Sequence, residues 1–525
     1  MAETETPPIP ISETPDVTSQ KPDIDMEAIH PLNYPSLALQ TYEFFGGDSN
    51  RAYCKDEFSS GQSTHLKMDY PRLSDVSQFD EIKNELNGRL ELAIATFGED
   101  SVTVSSIRYR LEEADFLKAA QVLNNSKTPE ERQQAATDFV AMSERLYGKP
   151  DQELADSIIG TLKQNSDLNN PYISELWRQV EEGFSVVLLN GETVVVEGVI
   201  IPTDFKELPR LSKDAEMMLD KEWRLFRGPL VEAQVLVADI IAAEQGKELG
   251  YDGKEIVFSG KRLYDAFALG AIGLSETMGI PEFNVVLDPN GSAASWESGQ
   301  QAVVIGVNRS AGMGASRKVT GTMPHEGTHA AKSVQGAMSG EPALSTGVFT
   351  QDKHGNWVSY LDYEEGNNKQ GESLLMSNDE SVAKTTEYHE YTIMSALAYR
   401  GFDDRQIKEI MTKLSTAVTL SDNSDLDTSL LEEVIKNDFT TQVERLFRGT
   451  PCDPELRVEG HMPILTKDTA YDRGELLRAI PYWNRVVEEA KQTPNPQEYV
   501  HRAFERQNKG KIDPSVTRQL ALIPE

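Results

Sequence analysis

The chemistry in this chain is concentrated in Thr322–Val334. That segment contains His325-Glu326-Gly327-Thr328-His329, an H-E-x-x-H arrangement. On a helix, residues four apart share one face, with their Cβ atoms about 6 Å apart. Two imidazoles so placed can hold one zinc ion, and the Glu beside the first can polarise a water brought to it. With 8 His in 525 residues, a chance pairing is rare. The plainer alternative is a surface helix that happens to carry two His. Pro324, tolerated only in a first helical turn, and Gly327, a poor helix former, favour that alternative.

A catalytic zinc keeps three protein ligands and an open position, so two His leave the set one short. Three downstream residues qualify. Glu365 lies in Tyr363-Glu364-Glu365-Gly366. Glu380 opens Glu380-Ser381-Val382-Ala383, the Glu-x-x-Ala of many zinc peptidases. His389 lies in Glu387-Tyr388-His389-Glu390. Spacing alone does not choose among them.

The elements that must position these groups can be read from periodicity. Residues 1–40 are rich in Pro, Thr and acids and poor in large apolar groups, so the reading there is a disordered tail. Residues 41–180 form a helical N-terminal region. Its helices are expected over Phe79–Ala95, from a capping box at Thr128-Pro129-Glu130-Glu131 through Tyr147, over Asp151–Leu162 and over Tyr172–Glu182. Phe184–Leu189 and Thr193–Ile201 read as strands joined by a type I′ turn at Asn190-Gly191. A long helix is expected over about Asp214–Leu249, with a core stripe of Leu225, Val231, Val235, Val237 and Ile241. Short strands at Phe283–Leu287 and Ala302–Val307 precede the His pair. The expected architecture is α+β: a mainly helical, zincin-like unit over 181–525 with a small antiparallel sheet, a free strand edge of which can pair with an extended peptide.

The order of motifs resembles the microtubule-associated tyrosine carboxypeptidase family and its bacterial relatives, zinc metallopeptidases known by a Gln-Glu-Gly-Leu-Ala motif. The matching stretches are Ile305-Gly306-Val307-Asn308-Arg309, the His325–His329 pentapeptide, Glu364-Glu365-Gly366, Arg445-Leu446-Phe447-Arg448-Gly449-Thr450, the run from Thr466 to Gly474 and Gly510-Lys511-Ile512-Asp513. Together they extend from roughly Asp214 to the C-terminus, and the Thr466-Lys467-Asp468 element is the most specific. Two departures stand out. The His motif is one residue shorter than in the family, which turns an i,i+5 pair into i,i+4. Asn367-Asn368 stands where relatives carry Leu-Ala, and the loop before it, with Gln351–Trp357, is lengthened.

The resemblance implies Glu365 rather than Glu380 as third ligand, beside His325 and His329 on Zn2+. It implies a carboxypeptidase-like removal of C-terminal residues, with Glu326 as general base and later acid. Tyr471 is a candidate oxyanion donor. Arg445, Arg448 and Lys467 are candidate cations for a substrate carboxylate, for which a planar Arg fork is suited. The rival readings are a zinc endopeptidase using Glu380 and a non-catalytic regulatory protein on a degenerate peptidase scaffold.

Composition limits the partners. The net charge of −34 argues against nucleic acid and acidic membrane surfaces, which require a basic face. There is no apolar run of 18 residues and no secretory leader, so neither a membrane span nor export is expected. Two cysteines, Cys54 and Cys452, are too few for a disulfide framework and fit a reducing cytoplasm.

Overall fold

In the computed structural model the described residues are 55–68, 76–226, 230, 233, 235–236, 260–288, 294–297, 302–306, 323–376, 389–422 and 428–523. They are mainly helical, with small sheets of two or three strands. The expected tail over 1–40 lies outside the described residues, as does Glu380. Among the described residues no helix is long and apolar enough to cross a membrane.

After a helical stretch at 55–60 come α1 (Gln78–Phe97), α2 (Val102–Asn125), α3 (Pro129–Tyr147), α4 (Gln152–Asn165) and α5 (Pro171–Glu182). Local chemistry sets their limits. At the start of α3, Thr128 Oγ1 accepts from Glu131 N at 3.2 Å, and the Glu131 carboxylate accepts from Thr128 N at 3.3 Å. That reciprocal pair satisfies two otherwise orphaned donors. Gly148, at φ 84, ends the helix after Tyr147.

Strands β1 (Phe184–Val187) and β2 (Thr193–Val196) pair antiparallel. Their connection differs from the expected type I′ turn, which needs positive φ at both central residues. Only Gly191 takes one, at 85°, and Leu188 N donates to Glu192 O at 2.9 Å. The link is thus a three-residue loop closing on a left-handed glycine.

Helix α6 (Lys213–Trp223) tightens into a 3-10 turn at Arg224–Phe226. The expected stripe is out of register here. Leu225 and Val235 are 51% and 56% exposed, while Ala215, Leu219, Trp223 and Phe226 are buried. The large aromatic residues win the interior because they bury the most apolar area. Val231, Val237 and Ile241 lie outside the described residues.

After α7 (Gly260–Met278) come β3 (Asn284–Asp288), β4 (Ala294–Glu297) and β5 (Ala302–Gly306), in the order β3-β5-β4. The sheet is mixed rather than antiparallel. The β4–β5 hairpin folds back so that β5 runs parallel to β3 between the two edges. Helix α8 (Met323–Met338), which carries His325 and His329, contacts α7, β4 and β5, and also α9 (Pro342–Thr346) and α10 (Tyr360–Met376). The lengthened loop before α10 is a hairpin of β6 (Phe349–Gln351) and β7 (Trp357–Ser359).

The remaining elements are α11 (Glu390–Tyr399), α12 (Asp404–Asp422), α13 (Thr428–Leu446), α14 (Thr469–Gly474), a π-helical turn at Glu475–Ala479, α15 (Ile480–Ala490), α16 (Pro496–Gln507) and α17 (Thr517–Leu520). They share cores with the N-terminal helices. Ile158 of α4 and Trp177 of α5 pack in one cluster with Met394 of α11 and Ile410 of α12. Phe116 of α2 and Phe139 of α3 share another with Phe349 and Leu465. The core that includes Ala330 of α8 joins it to Val303, Ile305, Tyr363, Trp483 and Phe504.

Candidate metal centre

Helix α8 accommodates both residues that argued against it. Pro324 is its second residue, where the missing N–H costs nothing. Gly327 faces α7, and a Cβ there would lie 3.0 Å from Leu274 Cδ1. The glycine is the gap that lets the two helices close. Thr328 Oγ1 donates within the helix, at 2.8 Å from Pro324 O and 2.7 Å from His325 O.

The two imidazoles lie with their ring centres 5.0 Å apart. Helix α10 supplies their partners. Glu365 Oε2 is 3.0 Å from His325 Nε2 and 3.7 Å from His329 Nε2. Ligand atoms of His325, His329 and Glu365 all lie within 4.8 Å of one another, close enough to share one metal ion. Each ring's other nitrogen meets a second carboxylate. His325 Nδ1 is 2.8 Å from Glu372 Oε1, and His329 Nδ1 is 3.0 Å from Glu364 Oε1. A carboxylate behind each imidazole fixes its tautomer and raises its basicity as a ligand. Asn368 Nδ2 donates to His325 O at 3.2 Å and lies 3.4 Å from His329 Nε2. Glu365, Asn368 and Glu372 are spaced i, i+3, i+7 and so share one face of α10.

The electrostatics follow from burial and this crowd of acids. Burial alone would lower both imidazole pKa values, but Glu365 and Glu372 hold His325 well above the ordinary value, and Glu364 and Glu365 raise His329. Burial would raise Glu364. Against it stand the charges of His329, Lys511 and Lys332, and Glu364 is brought down to about 2. Lys332 is fully buried, with Nζ 3.9 Å from Glu364 Oε1. The donor set of two imidazole nitrogens and one carboxylate oxygen suits a borderline divalent metal ion.

The other candidates separate into groups. Glu326 is 9% exposed, and among the described residues its carboxylate makes no hydrogen bond or ion pair. Tyr471 lies on α14, which crosses α10 backbone to backbone. A Cβ on Gly474 would stand 1.7 Å from Asp362 O, and one on Gly366 2.1 Å from Gly474 C. Arg473 secures the crossing, its Nε and Nη2 lying 3.0 Å and 2.9 Å from the Asp362 carboxylate. The Glu365 charge, and then burial, push the Tyr471 phenol well above its usual range, so it keeps its proton. Arg445 Nη2 lies 3.1 Å from Asp468 Oδ1, with its guanidinium 6.0 Å from the Tyr471 ring centre. Arg448 and the exposed Lys467 also act on Asp468, so the three cations gather at one acid. His389 stands apart from the metal set, with Nδ1 3.6 Å from Asp472 Oδ1 in a cluster with Lys369 and Glu475.

The chain matches no protein-family model, and no curated protein or solved structure matches it either. Sequence reasoning passed over Glu364 as a partner of the pair and missed Glu372, Asn368 and Lys332. The i, i+7 spacing of Glu365 and Glu372 was the signal for the second carboxylate. Nothing local marked Lys332.

Proposed function

We propose that this protein is a zinc-dependent peptide hydrolase that removes residues from the C-terminal end of its substrates. One observation carries the reading: two imidazole nitrogens and the Glu365 carboxylate converge, each imidazole backed by its own acid. Glu326, next to His325 in the chain, makes no hydrogen bond or ion pair among the described residues. The motif order shared with the microtubule-associated tyrosine carboxypeptidases supports it.

His325, His329 and Glu365 would hold the ion. Zinc, when bound, supplies Lewis acidity toward a carbonyl and acidifies a water. The chain's own residues do the rest. Glu326 accepts the proton of the attacking water and returns it to the departing amine. Tyr471, kept protonated by Glu365 and by burial, donates a hydrogen bond to the oxygen on which charge develops. Arg445, Arg448 and Lys467 form a positive rim at Asp468 that favours an anionic peptide end.

Glu326→Gln tests the reading. Zinc content should stay at that of the parent, while hydrolysis of a blocked peptide acid falls by about 10²–10⁴-fold. End-group analysis of products should find single residues released from the C-terminus. Retained turnover in the variant, or internal cleavage products, would overturn it.

A further inference from the structure

Beyond the pull of its charge on Glu364, Lys511 has no part in the site described so far. It is 7% exposed, and among the described residues its ammonium makes no hydrogen bond and no ion pair within 4.0 Å. Its backbone is fixed. Lys511 N donates to Leu344 O at 2.8 Å, and its carbonyl accepts from Val348 N at 2.9 Å. This pairing ties it to α9 and to the residue just before β6. The ammonium lies 5.7 Å from the centre of the Tyr360 ring. Tyr360 is the first residue of α10, one helical turn before Glu364 and Glu365. The charge thus sits at the start of the helix that carries the third ligand. Glu326, Glu364 and Glu365 all act on it electrostatically, although none approaches to contact.

The nearby acids stabilise the Lys511 charge at a distance and leave its donors uncommitted. The rim cations differ: Arg445 is already bound to Asp468, and Lys467 is exposed. An ion pair at an exposed cation contributes little, whereas one at a buried cation discriminates strongly between a charged and a neutral end.

We propose that Lys511 binds the terminal carboxylate of the peptide substrate and so directs the site to chain ends. This rests on the peptide-end reading above, and the test separates the two. Binding of an N-acetylated alanine tripeptide and of its C-terminal amide is measured by calorimetry. The protein is the full chain, zinc-loaded and carrying Glu326→Gln, with Lys511 intact or changed to Met or Arg. The acid should bind at least about tenfold more tightly than the amide, the worth of one charge-assisted hydrogen bond. Lys511→Met should remove most of that difference with zinc content unchanged, and Lys511→Arg should restore part of it. An acid preference undiminished by Lys511→Met, an equal loss for both peptides, or no binding of either would overturn the assignment. Hydrolysis by the parent protein is assayed alongside. A protein that prefers the acid through Lys511 yet cleaves nothing would refute the hydrolase reading and leave the lysine's role standing.

Discussion

Glu372 has no place in an H-E-x-x-H pattern, yet it holds the Nδ1 edge of His325 at 2.8 Å. An imidazole that has lost such a partner can rotate and is a weaker ligand. Glu372→Ala should therefore lower zinc affinity by about 10–100-fold, read by competition against a chromogenic chelator. Affinity equal to the parent's would show that the contact does not position the ring. The His pair itself was legible in the sequence, because i, i+4 geometry is a property of one helix and needs no tertiary information. Glu365 was narrowed only by resemblance, since a loop of unknown path separates it from α8. Glu372, Lys332 and Lys511 were not legible as parts of the site. Each acquires its meaning from a neighbour in another element, and in an acid-rich chain any single Glu reads as a solvated one.

At the scale of elements, the decisive contact is the crossing of α10 and α14. Neither helix can carry a side chain at the touching positions, where a Cβ on Gly474 would stand 1.7 Å from Asp362 O. Gly474→Ala should destabilise the protein by about 1–3 kcal/mol or more, seen as a lower melting temperature. Because Glu365 sits beside the crossing, zinc affinity should fall with it. Unchanged melting would mean that the helices separate at no cost. The sequence displayed both glycines inside recognisable motifs but could not display that they meet. It placed helix limits well where a cap or a glycine dictates them, as at Thr128 and Gly148. It misjudged the stripe around Leu225, because apolar periodicity cannot tell which of two overlapping registers a tertiary neighbour will cover. The parallel course of β3 and β5 was hidden for the same reason, being set by the fold-back of β4.

Across the whole molecule, the segment at 55–68 is fastened to the start of α12. His65 Nδ1 lies 2.7 Å from Asp404 Oδ1, Leu66 N donates to Asp404 Oδ2 at 2.6 Å, and Arg405 Nη2 donates to Phe58 O at 2.6 Å. Burial would lower the His65 pKa, but the bond to Asp404 outweighs it and the value lies above 6.5. A raised folded-state pKa gives stability that is fully present below the unfolded value and is lost as pH rises through the folded one. The stability difference between the parent and His65→Gln should therefore be largest below pH 6.5 and shrink above it, measured by urea unfolding across that range. A gap that widens with pH would contradict the sign. The pairing of Lys511 with Leu344 and Val348 has a temporal meaning as well. A ribosome delivers both imidazoles and all their acids long before it delivers this lysine. On the roles proposed, the metal-holding groups and the group that grasps a peptide end come together only after synthesis has passed residue 511.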